Sequence, residues 1–471
     1  MSAVDRLLAT HRPGDERLRV LSASGQLGYG IVTSSFEAGL AQYPHFIGCD
    51  MGSIDPGPYY LGSGQMAAPR DMVRRDLALV LQAARALDIP LVIGSAGTAG
   101  ARPHLQATVD LVLEIAQELD LHFRLATLES DVPAAMLQRA LSEGRLRPLD
   151  PDLLGAAMPM PDATLLQEAR VVAQCGTTRF MQALQTGPDV LIAGRACDTA
   201  IFAALPQLLG YSAGLSLHMA KIIECTSLCC EPGGRDAMMA HLGKEDFILE
   251  SMNPVLHATP ASVAAHALYE QADPWRVEEP EGTLDLREAS YEALDAHRTR
   301  VWGAQFTPRE TPTLKVEGAV RIGSRAVLMA GVADAVLIER LPTVLAEVEA
   351  KVRQLVPGTW TCHAHAYGLG AVHALPEAER SRHEIGCVLE FLADGPERAL
   401  MLASVFKQNL LHHGFAGRWS TGGNLAFAFT PPELSAGDAY RFVLYHLLTG
   451  EDPSQVFPIQ CLEVNPARKP A

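Results

Sequence analysis

Phe46-Ile47-Gly48-Cys49-Asp50-Met51-Gly52-Ser53-Ile54-Asp55-Pro56-Gly57-Pro58-Tyr59-Tyr60-Leu61-Gly62-Ser63-Gly64 sets an apolar run directly against a loop. From Cys49 onward that loop holds four glycines, two prolines, two carboxylates and two serines. The apolar run reads as a strand. Glycine leaves backbone N–H groups uncovered and reaches positive φ, while Pro56 and Pro58 fix φ and break any helix or ladder through the segment. The loop is therefore rigid. Asp50 and Asp55 are candidate acid and base groups, Gly52 offers backbone N–H, and Ser53 and Ser63 are candidate donors to a small anion. A cluster of turns at a sheet edge would use the same residue types.

The same plan recurs on either side. Residues 18–24 read as a strand opening into a glycine loop and a helix through Phe36 and Leu40. Residues 90–94 give a third strand, followed by Ser95-Ala96-Gly97-Thr98; residues 122–127 give a fourth. Residues 190–193 give a fifth, which runs into Gly194-Arg195-Ala196-Cys197-Asp198 and a helix through Leu205. Helices are expected over 71–87 and 105–119, and after Pro133. This alternation implies an α/β fold, a largely parallel sheet with flanking helices. Ligands of such sheets lie outside the carboxyl ends of the strands. That rule gathers Asp50, Gly52, Ser53, Ser95, Gly97, Thr98, Arg195 and Asp198 at one rim. The acid/base candidates are Asp50, Asp55 and Asp198, with a helix-capping role as the alternative for Asp198. Arg195 is the candidate clamp for a substrate carboxylate. Cys197 is either a nucleophile at a helix start or a small buried thiol. The glycine spacing fits neither the dinucleotide fingerprint nor Walker A, which counts against nucleotide use and leaves any cofactor unspecified.

With 471 residues the chain exceeds the usual size of one core. The turn at Pro357-Gly358 divides it into a large α/β domain, 1–356, and a smaller C-terminal α+β domain, 357–471. A formal net charge of -16 opposes attraction to nucleic acid or to an anionic membrane. No apolar run approaches the ~20 residues needed to span a bilayer. Nine cysteines at irregular spacing, and a start without the basic-then-apolar plan of a secretion signal, imply reduced thiols and a cytoplasmic protein. Cys225, Cys229 and Cys230, and likewise His363, His365 and His373, lack the spacing of a metal site. Lys221 and Glu224, three apart, read as a surface pair, and the acidic stretch 275–299 as a surface excursion. Strands are expected at 315–320 and 326–330 and a helix over 341–355. The loop 417–424 is either an anion or subunit contact or a hairpin connection.

Several segments together resemble the acyclic terpene utilisation (AtuA-type) family: the opening loop, Ala193-Gly194-Arg195-Ala196-Cys197-Asp198-Thr199-Ala200-Ile201-Phe202, Lys221-Ile222-Ile223-Glu224-Cys225, Met252-Asn253-Pro254, 259–270 and Gly423-Asn424-Leu425-Ala426-Phe427. Gly422 departs from the alanine the family pattern leads one to expect. The resemblance implies a role in catabolism and a small companion protein. Combined with the strand-end residues, it points to a lyase or hydratase acting on a small carboxylic or hydroxy acid or its thioester, in a homo-oligomer. The alternative is a noncatalytic ligand-binding or assembly subunit that works with the companion.

Overall fold

A computed structural model describes residues 1–149, 158–269, 271–419 and 421–465. Glu270 and Ser420, which fall in segments discussed above, lie outside them. The chain divides into two compact units, Met1–Val320 with Phe442–Ala471, and Arg321–Arg441.

The first unit is built on a ten-stranded mixed sheet. Its centre is parallel, with β1 (Leu18–Ser24), β2 (Phe46–Asp50), β3 (Leu91–Gly94) and β4 (Phe123–Leu128) joined by a later strand, β7 (Val190–Ala193), in the order β1-β2-β3-β7-β4. Two short strands, β5 (Leu146–Pro148) and β6 (Arg170–Ala173), lie outside this sheet. The five parallel strands are the five apolar runs expected from sequence. Their residues alternate between two cores. Leu18, Val20, Val92 and Leu191 pack on one face with the helices Thr177–Leu184, Asp198–Leu208 and Ala213–Ile223. Leu21, Ala23, Ile93 and Ile192 pack on the other with Thr33–Leu40, Arg70–Leu87 and Arg102–Glu118. Covering both faces is what makes a strand apolar at every position.

The sheet is mixed where a largely parallel one was expected. β8 (Met238–Leu242) joins β1 antiparallel, β9 (Asp246–Ser251) and the strands Arg298–Trp302 and Ser290–Ala293 continue outward, and Ile459–Val464 pairs antiparallel with β4. The stretch 275–299 is a surface excursion only in part: residues 292–298 are exposed, but Arg276–Glu279, Gly282–Asp285 and Gln305–Pro308 form a small sheet that buries Val277, Glu279 and Leu284. One strand, Thr313–Val332, replaces the expected pair, because Arg321 and Ser324 interrupt the apolar pattern without interrupting the backbone.

Glycine in the central strands makes room for the helix above it. A Cβ on Gly48 would lie 2.3 Å from Cε1 of the buried Phe202, and one on Gly94 would lie 2.4 Å from Cδ1 of Ile201. Gly48→Ala therefore overpacks the core and is expected to cost ~1–3 kcal/mol. A denaturant titration checks this through a lowered midpoint at unchanged slope.

The second unit places the helices Ala335–Leu355 and Pro396–Leu411 against a sheet of Thr361–Tyr367, Ile385–Ala393 and the later part of Thr313–Val332. Asp334 caps the first helix, accepting from the backbone N–H of Val336 (2.9 Å) and Leu337 (3.3 Å). That helix starts ahead of the expected 341 because Pro342 sits inside it. Pro357-Gly358 is the turn between this helix and the strand Thr361–Tyr367.

Among the described residues no helix is long and apolar enough to cross a membrane.

Candidate functional site at the carboxyl ends of the parallel strands

The loops leaving β2, β3 and β7 are tied together by their backbones. Met51 N–H donates to Gly94 O (3.1 Å), Ser95 N–H to Gly194 O (2.9 Å) and Arg195 N–H to Gly100 O (3.2 Å). The approach is close enough that a Cβ on Gly52 would stand 2.7 Å from Thr98 Cα, and one on Gly100 2.1 Å from Arg195 N. Ser95 and Thr98 hold positive φ, 50° and 98°. That conformation is costly for the β-branched Thr98 and is found where surrounding structure enforces it.

Arg195, 5% exposed, is the hub of this rim. Its Nε donates to Glu317 Oε2 at 2.8 Å, Nη2 to Glu317 Oε1 at 3.4 Å, and Nη1 to Ser95 Oγ and Ala196 O at 3.1 Å each and to Asp198 Oδ1 at 3.4 Å. Every nitrogen of the guanidinium is thus engaged by the protein. Glu317, fully buried, also accepts from Gln174 Nε2 (2.7 Å) and lies 3.7 Å from Lys315 Nζ. Burial alone would neutralise both partners. The opposite charges outweigh it, raising the Arg195 pKa and lowering that of Glu317, so the pair stays ionised.

Asp50 ends β2 with 7% exposure, its Oδ1 accepting from the N–H of Met51 (2.9 Å) and of Gly52 (3.4 Å). Burial, reinforced by the charge of Asp198, pushes its carboxyl well above the ordinary range, against the pull of Arg195. Asp198 is the first residue of its helix, with Cys197 at the N-cap position, so the structure does not use it as the cap. Its side chain keeps 34% exposure, and burial raises its pKa while Arg195 and Lys221 draw it down. Exposure falls from Asp198 through Arg195 to Glu317 at 0%, so solvent reaches the cluster from the Asp198 side.

The remaining strand-end candidates separate. Asp55 is exposed and accepts from Ser53 Oγ within its own turn (2.8 Å), though its charge is felt at Asp198. Ser63 Oγ accepts from Gln65 N–H (3.2 Å), a local turn. Gly97 N–H is directed at Met51 Sδ (3.1 Å), and Thr98 Oγ1 accepts from Ala67 N–H (2.9 Å). Cys197 is half-buried beside Gln174 Oε1 (3.8 Å), and burial pushes its thiol up rather than toward a thiolate.

Sequence reasoning missed a second set of charges. Lys221 and Glu224 are not a surface pair: both side chains are buried, 2.8 Å apart, with Lys221 Nζ 4.8 Å from the centre of the Tyr269 ring. Spacing of three along a helix is the same inside and outside a protein. Glu279 comes from the small sheet and accepts from Thr199 Oγ1 at 2.9 Å. Burial pushes it up to about 8, helped by the charge of Glu281. Its setting in an acidic run, Glu278-Glu279-Pro280-Glu281, conceals it, whereas Glu317 in the apolar Val316-Glu317-Gly318-Ala319 carried a visible signal.

The Glu279 shift has a sign. The folded state keeps a proton that the unfolded chain releases from about pH 4.5 upward, so stability is lost as pH rises toward about 8. The loss is up to ~1.4 kcal/mol for each pH unit crossed. Glu279→Gln keeps the acceptor for Thr199 and removes the titration. Its stability advantage over the parent is expected to grow from pH 5 to pH 8, a change that denaturation at several pH values would register and that parallel curves would refute.

One grouping comes within metal-ligand reach among the described residues: His11, Glu16 and His45, with ligand atoms inside 4.8 Å. His45 Nδ1 accepts from Arg19 N–H (2.9 Å), so the ring proton sits on Nε2, 3.2 Å from Glu16 Oε1. A metal there would have to displace that proton.

No curated protein and no solved structure matches the chain. The family model described as "Acyclic terpene utilisation family protein AtuA" matches residues 70–234 and 256–429, taking in the rim from Ser95 to Asp198 and the Glu279–Glu317 segment. Covering most of its length, this match makes the chain a member of the acyclic terpene utilisation (AtuA) family.

Proposed function

We propose that the strand-end cluster performs acid–base chemistry of the lyase or hydratase type on a small carboxylic or hydroxy acid or its thioester. The observation that carries this is Asp50: a buried carboxyl at the end of a central parallel strand, its pKa pushed well above the ordinary carboxylate range by burial and by the charge of a second, solvent-facing carboxyl, Asp198. Adding or removing water beside a carboxylate needs one group to deliver a proton and another to remove one. Two carboxyls in unequal surroundings divide those tasks. In this reading Asp50 delivers the proton, the solvent-facing Asp198 removes one from the substrate, and Arg195, with every nitrogen already bonded to the protein, positions Asp198 and Ser95 instead of clamping the substrate directly. Nine free cysteines, Cys461 exposed among them, support a reducing, cytoplasmic setting, and a homo-oligomeric enzyme is part of the same proposal. Asp50→Asn should sharply lower turnover of whichever hydroxy or enoyl acid the purified protein accepts, without loss of fold.

The ion pairing of Arg195 with Glu317 and Asp198 favours a second reading, a ligand-binding or assembly subunit in which the ion network is structural. That subunit would stay inert alone and gain activity when its small companion is added.

A further inference from the structure

The second unit contains a cavity of about 870 Å³ between the helix Ala335–Leu355, the strand Thr361–Tyr367 and the loop that follows it. It lies within the size range of small-molecule sites. Its cause is compositional. The strand turns Cys362, Ala364 and Ala366 toward it, whereas the neighbouring strand fills its own part of the core with Leu389 and Phe391. Small side chains on one strand leave the space unfilled. Ile338, Leu341 and Phe406, all at most 4% exposed, form the floor, and Leu369 and Ala371 of the following loop contribute to the wall.

The charged lining is balanced. Glu349 is bound to Arg353 at 2.6 Å, and the remaining lining charges are Glu339 and Glu377 against Arg380 and Arg382. No excess of either sign calls for a counter-charge. Ser381 adds a hydroxyl to the lining, and Pro342, also a lining residue, has no N–H, so the carbonyl of Ile338, four residues earlier in the helix, loses its helical donor. From these observations we infer that this cavity is a binding site for an uncharged, mainly apolar small molecule carrying a hydrogen-bond donor. The inference is independent of the strand-end chemistry proposed above.

The test titrates the full chain with N-phenyl-1-naphthylamine, which is uncharged and carries one N–H, and follows its fluorescence. Saturable binding is expected. Ala364→Leu fills the cavity and should weaken binding at least tenfold at an unchanged unfolding temperature, while His363→Leu, on the opposite face of the same strand, should leave it unaltered. If Ala364→Leu perturbs the fold, Ala346→Leu fills the space from the helix side. Absence of saturation, full binding by a folded cavity-filled variant, or a tighter hold on the anionic anilinonaphthalene sulfonate would each overturn the assignment.

Discussion

Replacing Glu317 by alanine is expected to lower the unfolding free energy by about 3–5 kcal/mol, since breaking a buried pair from one side leaves the other charge without its nearest counter-charge. Arg195, 5% exposed, would keep its bonds to Ser95 and Ala196 and its 3.4 Å contact to the partly exposed Asp198, but lose both contacts to the Glu317 carboxylate. Gln174 would lose its acceptor as well. The damage would be felt where the strand Thr313–Val332 pairs with β6 through Val316–Ala173 and Glu317–Val172. The double variant Arg195→Met with Glu317→Leu separates charge from packing, because exchanging both partners for apolar groups is often close to neutral. Recovery of most of the loss in the double variant, measured by denaturant titration, would confirm that the penalty belongs to the stranded guanidinium. A single-variant loss below ~1 kcal/mol would mean that water reaches the pair.

Asp50→Asn is expected to lower turnover by about 10²–10⁴-fold, the usual contribution of a positioned proton-transfer group. The amide is nearly isosteric and its oxygen still accepts from Met51 and Gly52 N–H, so the loop should keep its shape. Stability is expected to move the other way. The folded protein holds the Asp50 proton at pH values where the unfolded chain has released it, so the parent weakens as pH rises while the variant does not. Loss of turnover with an unfolding temperature equal to or above that of the parent at neutral pH therefore marks a chemical role. Retained turnover would end the assignment, and a parent chain that becomes active only with a small partner would move the chemistry to the assembled complex.

The parallel heart of the sheet was legible because burial on both faces writes itself as unbroken apolar runs, and those runs brought Asp50, Ser95 and Arg195 to one edge. The antiparallel flank was less visible. β8 and β9 carry His241 and Glu250 among their apolar residues, and neither strand reveals its partner. Nor does local sequence say that β7 inserts between β3 and β4, which depends on a crossover through distant residues. Within the site, hydroxyls and glycines at strand ends were conspicuous, but their tasks were not. Gly97 spends its N–H on a methionine sulfur, and Ser63 closes a turn. The ion partners were hidden for a physical reason: Glu317 stands 122 residues from Arg195, and Thr199 meets Glu279 across 80. Charge in an acidic run looks solvated until a separate sheet folds over it.

The pairing of Ile459–Val464 with β4 has a consequence for synthesis. On the ribosome, Phe123–Leu128 emerges long before its outer neighbour, with the whole of Arg321–Arg441 translated in between. Until that last strand arrives, the nascent protein presents an open row of backbone donors and acceptors, the kind of edge that recruits other chains. Truncation just before Ile459 should therefore leave the residues of the strand-end rim encoded in full yet yield a polypeptide that clumps.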